Sequence, residues 1–202
     1  MGSLWLAATL TASAQTVAWA NWTAASAHDG TASGFICDAA VAYTGEVDAY
    51  TVVTNSAVYL WTPTATFTNH WVRRLPAASD IIRLAGGLGI TNTLTFSPPV
   101  TNLVMLVTSL GSISAEVTNS FEFNRPFAIL SQGGDYWKTN GAGCWLTNSG
   151  NALVGIEGSG ALLFPGIVTN LGWTVPRREM DAGFTLGSLA PEPRELTLQE
   201  QR

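Results

Sequence analysis

The apolar positions of this chain come in short runs rich in Val, Thr and aromatic residues, and Gly, Asn, Ser or Pro cuts off each run after a few residues. Runs of that length and composition, closed by turn formers, read as β-strands. They predict strands at 16–23, 33–37, 41–44, 50–54, 58–61, 93–96, 103–109, 120–123, 127–131, 152–156, 161–164, 167–175 and 183–186. No stretch of helical length keeps apolar side chains at three-and-four spacing without a turn signal, so helix is confined to one short candidate at 77–84. Thr-Asn pairs recur, for example at Thr68, Thr91, Thr101 and Thr169. Threonine fits a pleated surface, and asparagine closes a strand by bonding its own backbone or entering a left-handed turn. Their irregular spacing disfavours a solenoid. The expected fold is all-β, a single-domain antiparallel β-sandwich of jelly-roll type.

Composition limits what such a sandwich can do. A chain of 202 residues suffices for one core, and nothing in it calls for a second domain. The expected division is a domain over 15–189, preceded by 1–14 and followed by a polar tail over 190–202. Charged residues make up 11% against 47% hydrophobic, and the polar remainder is mostly Thr, Ser, Asn and Gly. With a net charge of −5 and no basic residue before Arg73, the chain lacks the basic patch that phosphate binding needs. Nucleic acid is therefore not an expected partner, and no cofactor is expected.

Residues 1–14 admit two readings. Leu4 to Leu10 is apolar, and Ala12-Ser13-Ala14 has the small-x-small pattern of a signal-peptidase site, although no Lys or Arg precedes it. The rival is a retained β-strand whose Leu4, Trp5, Leu6 and Leu10 pack on a sheet of this or a neighbouring copy. The stretch is too short to cross a bilayer as a helix, and no transmembrane segment is expected.

Three C-terminal segments carry a resemblance: Gly155-Ile156-Glu157-Gly158-Ser159-Gly160-Ala161-Leu162-Leu163-Phe164, then Leu171-Gly172-Trp173-Thr174, then Gly183-Phe184-Thr185-Leu186-Gly187. With Pro191-Glu192-Pro193 just beyond, this order resembles PEP-CTERM-type bacterial secreted and surface β-proteins, which exosortases process. Thr31-Ala32-Ser33-Gly34, Leu94-Thr95-Phe96-Ser97-Pro98-Pro99-Val100, Leu106-Val107-Thr108-Ser109-Leu110-Gly111 and Phe127-Ala128-Ile129-Leu130-Ser131 are similar too, so the likeness covers most of the chain. It implies export, a β-sandwich module and residence outside the cell or on its surface, with no common activity. The chain departs from the family after Pro193, where a polar stretch from Arg194 to Arg202 stands in place of a membrane-spanning helix and basic cluster. In an exported protein Cys37 and Cys144 are expected to pair in a disulfide, two buried free thiols being the alternative.

Candidate chemistry is sparse. Glu157, among glycines, is read as a carboxylate that accepts backbone N–H bonds in a turn rather than as a cation ligand. Asp29, Asp38, Glu46 and Asp48 match no calcium-loop spacing and are read as solvated loop charges. No nucleophile elbow accompanies His28 or His70, and Asp135 with Glu157 is weak support for a glycosidase pair. The loop Gly133-Gly134-Asp135-Tyr136-Trp137-Lys138-Thr139-Asn140-Gly141 is more informative. Its adjacent rings can stack on sugar C–H groups while Asp135, Lys138 and Asn140 orient the ligand. The competing reading folds Trp137 back as a lid over the core. Trp19, Trp22, Trp61 and Trp173 are read as strand residues in core or inter-subunit packing.

Two functions are expected in this order: a non-enzymatic extracellular structural protein that self-associates in a surface layer, matrix or filament, and a carbohydrate-binding module using the Tyr136-Trp137 loop. The expected partners are accordingly further copies of the chain or a polysaccharide.

Overall fold

The computed structural model describes residues 15–53, 58–77, 80–138, 140–178 and 182–191. The proposed assembly residues Leu4, Trp5, Leu6 and Leu10, and the tail beyond Pro191, lie outside these. The described chain is almost entirely antiparallel β-structure, as the sequence pattern requires. Its strands are β1 (Gln15–Trp19), β2 (Asn21–Ser26), β3 (Thr31–Ile36), β4 (Ala39–Thr44), β5 (Ile82–Arg83), β6 (Thr91–Leu110), β7 (Asn119–Phe123), β8 (Ala128–Gly133), β9 (Trp145–Ser149), β10 (Ala152–Ile156), β11 (Gly158–Thr174) and β12 (Gly183–Pro191). The described helix is a single turn, α1 (Thr64–Phe67).

The β6–β11 ladder organises the sandwich because it belongs to both layers. Thr93 to Ser97 of β6 pair with β4 on one side, while Leu103 to Thr108 pair with β12. Between these halves the register on β11 skips from Val100–Val168 to Thr95–Asn170. The skipped segment carries Pro98 and Pro99, which have no N–H to give a ladder, so the strand leaves its partner and turns into the second layer. Asn102 enters the left-handed region at φ 52° and accepts a hydrogen bond from Gly166 N (2.9 Å), closing the bend. The first layer thus runs β2-β3-β4-β6-β11-β7-β10-β9, and the second sets β1, β12, β6, β11 and β8 side by side.

Alternation along the strands fills the space between the layers. Trp173 of the first layer meets Phe184 of the second edge-on, ring centroids 5.1 Å apart, and Tyr43 stacks on Trp173 at 5.8 Å. These residues and Trp22 are fully buried, and they join Leu94, Met105, Val107, Leu162 and Leu186 in one core. The second half of β6 is buried on both faces. Leu103, Met105 and Val107 point into that core, while Val104 and Leu106 pack outward against Trp61, Phe67, Val72 and Ile81 from the connection between β4 and β6.

That connection corrects several sequence expectations. Residues 58–61 form no strand, and Val52 makes only an isolated bridge to Ile81. The candidate helix at 77–84 is replaced by the bridge at Ile81 and by β5, while the helical turn falls at α1. Apolar residues there serve as a cover rather than a ladder, and local composition does not distinguish the two. Trp61 accordingly lies in the cover, not in a strand.

Asparagines of the recurring Thr-Asn pairs act as tethers between elements. Asn69 accepts from the backbone N–H groups of Trp71 and Val72 and donates to Leu130 O. Asn148 donates to Phe127 O, and Gln132 Oε1 accepts from Leu146 N, so side chains bridge β8 to β9 where the two layers meet. At the opposite side β1 and β2 run on through Ala20, passing the chain from the second layer to the first.

Candidate functional site

The two ends of the sandwich differ. At one end lie the bend of β6 and the two termini of the described chain, with Gln15 paired to Pro191. At the other end Gly183, the start of β12, is paired to Arg83, and the loops before β9 and between β4 and β5 come together. The aromatic loop belongs to this second end, called the tip below.

Asp135 builds that loop. Its Oδ1 accepts from the backbone N–H groups of Trp137 (3.0 Å) and Lys138 (3.2 Å), an Asx-turn that turns the two ring-bearing residues outward. Its Oδ2 accepts from the Ser159 hydroxyl at 2.8 Å, and Ser159 Oγ accepts from Ser109 N at 2.8 Å. The Ser109 hydroxyl donates to Glu157 Oε1 at 2.5 Å, and Glu157 Oε2 accepts from Ile113 N at 3.3 Å. Glu157 is thus a turn carboxylate that accepts a backbone N–H bond. Asp135 is fully buried, so the carboxylate expected to orient a sugar is instead spent on holding the loop. Burial pushes the Asp135 carboxyl above the ordinary range, and the nearby Glu157 charge adds to that.

The rings themselves are open. Tyr136 and Trp137 are 45% and 42% exposed, and they meet edge-to-face at 5.6 Å. Trp137 therefore does not close over the core. Sequence reasoning missed two partners. The Arg83 guanidinium carbon lies 5.6 Å from the Trp137 ring centroid and 5.6 Å from that of Tyr50, which is 71% exposed. One cation thereby links two rings from distant loops, each contact being worth about 0.5–1 kcal/mol at an exposed site. Asp48 places Tyr50 by accepting its backbone N–H (2.8 Å), and Arg83 O in turn accepts from Asp48 N. No local pattern marks Tyr50 or Arg83 as site residues, because only the β5–β12 pairing brings them to the tip. Of the other expected ligands, Asn140 is exposed and accepts from Ala142 N in its own turn, while Lys138 is half-buried.

The expected disulfide is not present: both cysteines are free. Cys37 lies in the β3–β4 turn near Ser188 and Leu189, at the end where the termini leave, whereas Cys144 feels the charges of Lys138, Glu157 and Asp135 at the tip. The stretch of β12 from Gly183 to Ser188 alone spans roughly 17 Å, far beyond the Cα separation of about 7 Å that a disulfide tolerates.

Glu46 also departs from expectation. It is buried rather than solvated, and its Oε2 accepts from Gly86 N at 2.6 Å, pinning the glycine-rich loop before β6. Burial raises its pKa. Asn92 Oδ1 accepts from Glu46 N (2.8 Å) and from the Tyr43 hydroxyl (2.6 Å), extending this polar knot into the core. Among the described residues no group of three or more His, Cys, Asp or Glu could hold a metal ion. Among them, too, no helix is long and apolar enough to cross a membrane.

Comparison with known proteins gives no relative: no family model matches this chain, and neither a curated protein nor a solved structure matches it.

Proposed function

We propose that this protein is a non-enzymatic, exported β-sandwich module that holds a polysaccharide at its tip. The observation that carries the reading is the cluster of Tyr50, Tyr136 and Trp137, three exposed rings fixed by Arg83 and by the buried Asp135. Exposed rings on a rigid loop, with few polar groups among them, suit the apolar faces of pyranose units. The carboxylates of Asp48, Asp135 and Glu157 all bond to their own chain, which supports a binding rather than a hydrolytic role. Export rests on the resemblance of the C-terminal segments to PEP-CTERM-type surface proteins. The architecture suits surface display, because chain before Gln15 or after Pro191 departs from the end opposite the rings.

The test is retention of the purified protein on insoluble neutral polysaccharides such as cellulose, chitin and xylan. Retention on at least one, reduced tenfold or more by Trp137→Ala and by Tyr50→Ala, is the expected result. Absence of retention on all of them, or retention unchanged in both variants, overturns the reading.

A second reading, self-association in a surface assembly, is favoured by a different observation: the outer face of the first layer carries no charge over most of its width.

A further inference from the structure

The outer face of the first layer is built in register from small, uncharged residues. Thr31, Thr44, Thr93 and Gly172 form one row across β3, β4, β6 and β11. Ser33, Ala42, Thr95 and Asn170 form the next, and Phe35, Ala40 and Ser97 a third. The first charge met across the face is Glu122 on β7, beyond β11. Within these rows Phe35 alone is large, and it stands 50% exposed as one wall of a shallow groove of about 340 Å³ that runs over Ala40, Ala42, Thr95 and Ser97.

We propose that this face binds a second copy of the chain in a parallel, two-fold symmetric dimer. An isologous contact needs a patch that complements itself, and here Phe35 forms one wall of a groove that runs over β4 to Thr95 and Ser97 on its far side. β4 sits between β3 and β6. A two-fold axis along β4, over Ala40 and Ala42, therefore lays Phe35 of each copy onto the partner's Thr95 and Ser97. Charge supports the same occupant. The three rows carry no charge and so do not repel their own image, while the exposed Asp38 of the β3–β4 turn, at one end of the axis, opposes the contact there. The proposal does not depend on glycan binding, but the two are compatible. An axis along the strands keeps both tips at one end of the dimer and both pairs of termini at the other. The five strands β2, β3, β4, β6 and β11 give a plan area of roughly 400 Å² per copy, against about 800 Å² per partner in a standard interface. The dimer is accordingly weak and depends on concentration.

Sedimentation velocity of the full chain from roughly 5 to 500 µM, a range suited to a small interface, is the first test. The expected result is a monomer–dimer equilibrium whose dissociation constant rises at least tenfold in Phe35→Glu and in Ala42→Asp. Both sites are exposed, and unchanged circular dichroism identifies folded variants. The second test places a cysteine on the axis: Ala40→Cys with Cys37→Ser and Cys144→Ser. A short bis-maleimide, which spans the roughly 10 Å between facing sheets, is expected to yield a cross-linked dimer, and the same background with Ser149→Cys on β9 is expected not to. A monomer throughout the range, dimerisation unaffected by both face variants, or equal cross-linking from Ser149→Cys overturns the proposal.

Discussion

The Ser159 hydroxyl donates to the buried Asp135 carboxylate over 2.8 Å, and this contact fastens the ring-bearing loop to the start of β11. Ser159 simultaneously accepts from Ser109 N, so one hydroxyl serves a loop on one side and β6 on the other. Ser159→Ala would leave Ser109 N without its acceptor and Asp135 Oδ2 without its donor. The expected cost is about 2 kcal/mol, the penalty for buried polar groups left unmade. Urea denaturation checks this, and a cost below about 0.5 kcal/mol, typical of an ordinary surface site, would contradict the assigned role.

The buried carboxyls give stability a definite pH dependence. Asp135, Glu46 and Asp80 are all raised, in each case chiefly by burial. A carboxyl whose folded pKa exceeds its unfolded value binds its proton more tightly in the folded state. Its contribution is therefore complete below the unfolded value, about 4, and is lost as pH rises through the raised folded value. Asp29, fully exposed and lowered by bonds from His28 and Ser26, acts in the opposite direction from the surface, where solvent screens it. Thermal unfolding is expected to show Tm falling as pH rises above about 4, with a shallower slope in Asp135→Asn. A Tm that rises with pH over that range would show that burial does not dominate these groups.

Free cysteines predict independence from redox conditions. Reductant is expected to leave Tm unchanged, and both thiols are expected to react with a thiol reagent in the folded protein. The exposed Cys37 should react first, because burial pushes the Cys144 thiol up and keeps less of it as thiolate. Cys37 also holds a left-handed conformation at φ 52°, which glycine adopts without cost from a Cβ. Cys37→Gly is expected to be neutral or stabilising by up to about 1 kcal/mol. Loss of stability on reduction would instead reveal a disulfide.

The sequence announced the β-architecture because period-two burial and turn residues are local. β4 shows it plainly, with Ala39, Val41 and Tyr43 buried and their neighbours exposed. It did not announce that 93–96 and 103–109 are one strand, since Pro98 and Pro99 read as a break and only the second layer shows them to be a bend. β9 went unseen although Gly150-Asn151, between Ser149 and Ala152, is a two-residue hairpin signal. At the tip, the ring pair was legible as adjacent aromatics in a glycine-rich loop. Tyr50 and Arg83 were not, because β5–β12 pairing is a long-range fact. Asp135 was misread for a related reason: an acid beside two rings is equally a ligand or a loop anchor until its burial is known.

Phe184 is fully buried and meets Trp22, Tyr43 and Trp173 at centroid distances of 6.3, 5.4 and 5.1 Å, so it joins β12 to residues from three strands of the opposing layer. Truncation to alanine removes the transfer energy of a phenyl ring and leaves a cavity that rigid indoles cannot collapse into. Phe184→Ala is therefore expected to cost about 3–5 kcal/mol. Phe184→Leu, which refills much of the volume, should cost less than half of that, because hydrophobic swaps that keep most of the volume are the best tolerated. Phe35→Ala provides the contrast. Also aromatic but on the outer face and half exposed, it should change the stability of the monomer by less than about 1 kcal/mol. Equilibrium denaturation of the three variants in dilute solution orders them, and an alanine at position 184 tolerated as well as one at position 35 would mean that β12 does not close the sandwich.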